Sequence, residues 1–242
     1  TNDSTLSGWS AEFESPPLVN ILGGNGSQTS GGLYSFGTIS ATERAIGSTG
    51  SGTPDNIAFG VLLQNTSGGT LVIDSIAYTG EQWRNGGNTT PHKLTFSYQK
   101  SGTPITALSA VDILPGGWTA YSAADFTGPI ATASSGALDG NLPANQAAVS
   151  TTPSLSVAAG EYVFLRWHDE DNTGGDHGLG IDNLSISWSA SGTPSLTVSA
   201  TPTNFSESAG ATASVGSVSI PAALGSDLTV NLASSDTTEA TV

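Results

Sequence analysis

The 242-residue chain contains neither cysteine nor methionine. Without cysteine it can form no disulfide and present no thiol nucleophile. Basic residues are nearly as scarce: 5 lysines and arginines face 20 acidic residues, giving a net charge of -15 at pH 7. Such a surface repels phosphate backbones and anionic lipid, so nucleic acid and acidic membranes are poor partners. Charged residues of both signs amount to only 10% of the chain, which leaves little from which to build helices with charged solvent faces. Long apolar runs are missing too, since YVFL and GVLL are far too short to span a bilayer and no membrane insertion is expected. The opening TNDSTLSGWS carries neither an initiator methionine nor an export signal. That is expected where either has been removed or where the sequence starts inside a longer chain. A disulfide-free, loop-rich exported chain with NGS, NTS, NTT and NLS sites fits a secreted bacterial protein best, and an extracellular location is expected.

What is abundant is turn chemistry, with 31 glycines and 12 prolines among many serines and threonines. Short apolar runs such as IAFGVLLQNT, LVIDSIAYTG, KLTFSYQ, YVFLRWHD and GIDNLSISW are each bounded by Gly, Pro, Asn or Ser. No long window has a helical period, so the reading is all-β: a jelly-roll (concanavalin-like) β-sandwich over residues 1–190. A domain of that size buries roughly 70% of its unfolded surface, enough for a sizeable core. A Ser-Gly-Thr-Pro linker at 191–195 then leads to a partial immunoglobulin-like module over 196–242, where lysine and arginine vanish. That module is too short for seven strands, so either the chain continues or a neighbouring chain completes it by self-association. SGTP occurs three times in unmatched surroundings and reads as linker chemistry rather than a repeat.

The stretch RWHDEDNTGGDHGLGIDN, Arg166 to Asn183, holds five carboxylates, two of the three histidines and one of the three arginines. Strand parity puts Val163, Leu165 and Trp167 on one face and Tyr162, Phe164, Arg166 and His168 on the other, both with aromatic bulk, as in a central strand covered on both sides or beside a groove. The returning run places Asp182, Leu184, Ile186 and Trp188 on one face, and the two runs together read as a β-hairpin with an acidic tip. Calcium takes six to eight oxygens, and Asp169, Asp171, Asp176 and the Thr173 carbonyl are plausible donors. The alternative is a plain soluble turn, and both remain open. A third alternative is a hydrolase built on His168, Asp169 and His177. Zinc would want a third nitrogen or sulfur, His92 sits in the unrelated loop TTPHKL, and no GxSxG elbow exists, so no enzyme is expected.

All three arginines follow or precede carboxylates in sequence, which points to structural ion pairing. The competing functional reading places Glu81, Trp83 and Arg84 along a sugar groove. Of the five tryptophans, Trp118, in the turn-rich ILPGGWTAYSAADF, is the one expected to be exposed as a carbohydrate platform. Trp167 and Trp188 are expected in the core, and Trp9 finds no place.

The succession ERAIGS, IAYTGEQWRN, HKLTFSYQ, ALDGN and LRWHDEDNTGGDHGLGIDNLSISW resembles a β-sandwich module of large secreted bacterial proteins. That module is found ahead of extracellular endonuclease/exonuclease/phosphatase domains, lamin-tail domains and immunoglobulin-like repeats. The resemblance covers about residues 10–190 and is carried by Glu43, Arg44, Glu81, Trp83, Arg84, Asp139, Asn141, Arg166, Asp169, Asp171, Asp176 and Asp182. The tail is similar to the start of an immunoglobulin-like or Calx-β-type repeat, which implies calcium at Glu207 and Asp236. The attached domains' nuclease motifs have no counterpart here. The expectation is therefore a noncatalytic, calcium-stabilised extracellular module that binds polysaccharide or a cell-surface glycan. A structural surface or filament subunit is the alternative.

Overall fold

The apolar runs fold into two stacked sheets in the computed structural model, which describes residues 7–16, 20–191, 197–201, 215–219, 229 and 231. In chain order the strands are β1 (Trp9–Phe13), β2 (Leu22–Gly24), β3 (Gly32–Phe36), β4 (Ala45–Thr49), β5 (Ile57–Gln64), β6 (Leu71–Asn85), β7 (Lys93–Ser101), β8 (Thr119–Ala120), β9 (Phe126–Thr127), β10 (Gly136–Ala137), β11 (Gln146–Thr151), β12 (Leu155–Val157), β13 (Tyr162–Asp169), β14 (Gly178–Ala190), β15 (Thr197–Thr201) and β16 (Val215–Ser219). One sheet runs β1-β5-β13-β7, with β8 and β9 sharing the far edge of β7. The other runs β6-β14-β4-β3-β2, and the outer edge of the long β6 is covered in turn by β10, β11 and β12. Pairing is antiparallel except between β2 and β3. From β4 onward the chain passes repeatedly from one sheet to the other, so most connections are arches across the sandwich ends.

The main core lies between the sheets. Trp167 sits at its centre, edge-on to Tyr78 at 5.5 Å and to Phe96 at 5.2 Å and stacked on Phe59 at 6.2 Å. Trp9, unplaced by sequence, lies flat on Trp167 at 6.1 Å. Gly80 has no side chain because a Cβ there would collide with the Phe126 ring. The parity expected of β13 holds: Val163, Leu165 and Trp167 enter this core, while Phe164 joins Ala58, Leu108, Ala110 and Trp118 in a second cluster on the outer face. A third cluster, Tyr34, Phe36, Ala45 and Trp83, lines the outer face of the other sheet.

Four expectations require correction. The stretch Arg166 to Asn183 is not a hairpin: both edges of β13 are taken by β5 and β7, and those of β14 by β6 and β4, so the acidic loop is an arch between sheets. Asn183, at φ 54°, forms a bulge that turns Leu184 and Ile186 toward the main core and leaves Asp182 on the opposite face. Trp188, past a second register shift, is 51% exposed rather than core. Arginine does not pair with carboxylate: among the described residues the ion pairs are Lys93–Asp125 and Lys100–Glu161. All three arginines donate instead to main-chain carbonyls: Arg44 to Ser35, Arg84 to Gly26, and Arg166 to Ser109, Asp112 and Ile113.

Of the tail, β15 and β16 form an antiparallel pair that coincides with two of the expected strands. Linker residues 192–195, the third expected strand apart from residues 229 and 231, and the calcium positions Glu207 and Asp236 lie outside the described residues.

Candidate functional site

At one end of the sandwich three connections meet: the arch from β13 to β14, the β4–β5 turn and the β6–β7 loop. Main-chain groups of the arch are tied to the other two by side chains. Asn56 Oδ1 accepts from the Asp171 N–H at 2.8 Å, and Asn88 Nδ2 donates to the Thr173 carbonyl at 3.0 Å. Within the arch, Asp176 Oδ1 accepts from the Asn172 N–H at 3.0 Å. Glycine is obligatory at 86 and 175, where a Cβ on either would strike the other's carbonyl. What remains open between these loops is a polar cleft of about 400 Å³ lined by Thr29, Thr49, Ser51, Arg84, Asp171 and Asp176 among others.

Of the four expected calcium donors, three line this cleft and the fourth is turned away from it. Asp169, on the inward face of β13 and 2% exposed, turns between the sheets to accept from Ser48 Oγ at 2.7 Å. Burial raises its pKa to about 8, the nearby Asp176 and Asp171 charges add to this, and bonds from Ser48 and the Gly50 main chain oppose it. The Thr173 carbonyl is occupied by Asn88. Asp171, Thr173 and Asp176 line the cleft and Asp169 does not; burial lifts Asp176 to about 7, with Asp171 pressing it further up and the Asn172 N–H pulling it back.

Behind Asp176 two imidazoles stack at 4.2 Å, those of His92 and His177. The Gly86 N–H donates to His177 Nδ1 at 2.9 Å and the His177 N–H donates to His92 Nδ1 at 3.2 Å. A neutral imidazole has one lone pair and one N–H, so with both Nδ1 atoms accepting, both Nε2 atoms carry hydrogen. Neither ring has a lone pair left for a metal or for a substrate proton. Burial, then the neighbouring His92, holds His177 down at about 4, and burial also lowers His92. His168 lies elsewhere, on the outer face, donating through Nε2 to the Ala110 carbonyl at 2.8 Å, its Nδ1 sealed from solvent. Burial, then Arg166, brings it to about 4. His168, Asp169 and His177 thus point to three different environments rather than one.

The expected sugar-groove set divides as well. Trp83 is 0% exposed, stacked on Phe36 at 6.0 Å, and its Nε1 donates to Glu81 Oε2 at 2.9 Å. Glu81 is buried against Gln146 and Trp83, and its carboxyl oxygens lie within 4.8 Å of those of Glu43 and Asp182. Burial, with Glu43 and Asp182 adding, raises Glu81 to about 7, while bonds from Trp83 and Gln146 oppose the rise. Trp118, expected exposed, is 8% exposed: it meets Phe164 edge-on at 5.7 Å and carries the Arg166 guanidinium over its ring at 5.2 Å. Of the four, only Arg84 reaches the cleft. Sequence reasoning missed Thr29, Thr49 and Ser51, which carry no local motif, and also His92, whose partner lies 85 residues away. No family model matches the chain, and no curated protein matches it.

Proposed function

We propose that this is a noncatalytic extracellular binding module of a larger secreted bacterial protein, with a jelly-roll winding, taking a polysaccharide or cell-surface glycan in the end cleft. The observation that carries this reading is the lining of the cleft: threonine and serine hydroxyls, a guanidinium and two carboxylates around about 400 Å³, a mixture of donors and acceptors suited to sugar hydroxyls. The absence of chemistry in the reading is supported by the histidines, whose lone pairs are committed to main-chain N–H groups or sealed from solvent. Calcium belongs to the reading in reduced form, held at the cleft by Asp171 and Asp176, whose mutual repulsion a cation would relieve. The resemblance to sandwich modules of secreted bacterial proteins supports the extracellular location and a place within a larger chain.

The test is retention on a panel of insoluble polysaccharides, comparing the wild type with Arg84→Ala. Wild-type retention on at least one, weakened tenfold or more in the variant at unchanged melting temperature, is expected. The alternative, a structural surface subunit, is favoured by the burial of Trp83, Trp118 and Trp167, which leaves none of these rings open for stacking, and by the exposed Trp188. No retention on any polysaccharide together with concentration-dependent self-association would decide for that alternative.

A further inference from the structure

Segment 23–29 contributes to two depressions. Thr29 lines the end cleft, whereas Asn25, Ser27 and Gln28 line a second, more open one of about 370 Å³ together with Ile39, Ser40 and Arg44. In a chain of net charge -15, no carboxylate lines this second depression, and its one charged group is the Arg44 guanidinium. Glu43, adjacent in sequence, is turned to the other acidic groups Glu81 and Asp182.

The polarity of the unpaired atoms is one-sided. Gln28 Oε1 accepts from the Asn25 N–H at 3.1 Å, and Asn25 Oδ1 accepts from the Ser27 N–H at 3.2 Å and the Ser27 hydroxyl at 2.6 Å. An atom that accepts from a main-chain N–H must be the amide oxygen, so the nitrogens Asn25 Nδ2 and Gln28 Nε2 are the ends left over. Arg44 is held by Nε on Ser35 Oγ at 3.1 Å and by Nη2 on the Ser35 carbonyl, and its Nη1 has no hydrogen-bond partner among the described residues. The guanidinium can lie there because residue 37 is glycine: a Cβ would come within 2.8 Å of Arg44 Cδ and closer still to Nη1. The side-chain acceptors of Asn25 and Gln28 are therefore satisfied internally, and what they and Arg44 leave free are donors.

We propose that this depression is a carboxylate subsite that takes the uronic-acid units of an acidic polysaccharide. A planar carboxylate matches a guanidinium edge flanked by neutral amide donors. The net charge of -15 repels such an acidic polymer at long range, and physiological salt screens that repulsion, so the guanidinium and the amides hold the carboxylate by short-range bonds. The volume is that of a pocket for one small ligand unit, and the exposed Ile39 offers an apolar edge beside it. The inference rests on the glycan-binding reading and names the class of glycan.

The experiment is calorimetric titration at physiological salt of wild type, Arg44→Gln and Gln28→Ala with four polymers: polygalacturonate, its fully methyl-esterified form, neutral galactan and polyglutamate. Polygalacturonate is expected to bind at least tenfold tighter than its ester or polyglutamate. Arg44→Gln should erase the preference and Gln28→Ala reduce it severalfold, both with melting temperatures near wild type. Should Arg44→Gln fail to fold, Gln28→Ala decides, because its side chain is only partly buried at a loop. Equal affinity for acid and ester, or a preference that survives in the variants, overturns the carboxylate subsite while the broader glycan reading stands. Equal binding of polyglutamate overturns the assignment to a sugar. No binding of any polysaccharide overturns both readings.

Discussion

Glu12 and Arg166 grip opposite polarities of a single loop. Glu12 accepts from the N–H groups of Leu108 at 2.8 Å and Ala110 at 3.2 Å. Arg166 donates to the carbonyls of Asp112 at 2.7 Å, Ile113 at 3.0 Å and Ser109 at 3.1 Å. A main chain that has no strand partner over these residues is thereby satisfied by two side chains of the sheet beneath it. The loop can then cover Phe164 and Trp118. Burial brings Arg166 down to about 10, against the opposing pull of Glu12 and Asp112, so it stays charged across the physiological range.

Arg166→Met should therefore be among the most damaging single changes. It removes the donors of three carbonyls and leaves Glu12 without its counter-charge, a loss of about 3–5 kcal/mol. Denaturant unfolding measures the loss, and amide exchange should show Leu108 and Ala110 losing protection. A loss below about 1 kcal/mol would mean that water replaces the guanidinium freely.

Trp118→Ala and Trp83→Ala should destabilise by roughly 3–5 kcal/mol each, as buried aromatic truncations do. Retention on a polysaccharide, normalised to the folded fraction, should not change. A selective loss of retention at full stability would show that one of these rings meets the ligand after all.

Glu81 gives stability a pH dependence whose sign follows from its raised pKa. Burial pushes the folded carboxyl up to about 7, against 4.5 for a free glutamate side chain. Between those values the native state binds the extra proton, so its contribution is fully present below pH 4.5 and is lost as pH rises toward 7. Glu81→Gln should thus raise stability at pH 8 by on the order of 1–3 kcal/mol and leave it unchanged at pH 4. His177 works in the opposite sense, its lowered pKa making stability fall as pH drops from 6.5 toward 4. Melting curves of wild type and variant across pH 4 to 8 separate the two; a gain for Glu81→Gln that is equal at both ends would contradict the assignment.

If Asp171 and Asp176 hold calcium, a chelator should lower the melting temperature by several degrees, and the double change Asp171→Asn with Asp176→Asn should abolish that sensitivity. Asp169→Asn should leave it intact, since that side chain faces Ser48 rather than the cleft. A melting temperature indifferent to chelator in the wild type removes calcium from this loop.

The all-β class was readable because strand signals are local: a period of two in YVFLRWHD and Gly, Pro and Asn at its ends act within a few residues. The same locality made the aromatic bulk on both faces of β13 readable, and of the two readings left open, covered on both sides or beside a groove, the structure has the first. The candidate cleft was only half readable. Acidic density marked Asp171 and Asp176, but nothing near Thr49 or Ser51 announces that these hydroxyls arrive beside them. Trp118 was misjudged because turn-forming neighbours suggest exposure, whereas the loop is pulled inward by residues about fifty and a hundred positions away.

By itself the sequence determined the class of fold, the acidic character of the surface and the strand with aromatic bulk on both faces. Each of these depends on composition or on the alternation of neighbouring side chains. Only the tertiary structure decided that β13 and β14 lie in different sheets, that the arginines bind main-chain carbonyls, and that His92 stacks on His177. Those outcomes depend on which strand occupies each open edge and on which buried donor is left with an acceptor. Both are settled by contacts between residues far apart in the chain, which no local pattern encodes.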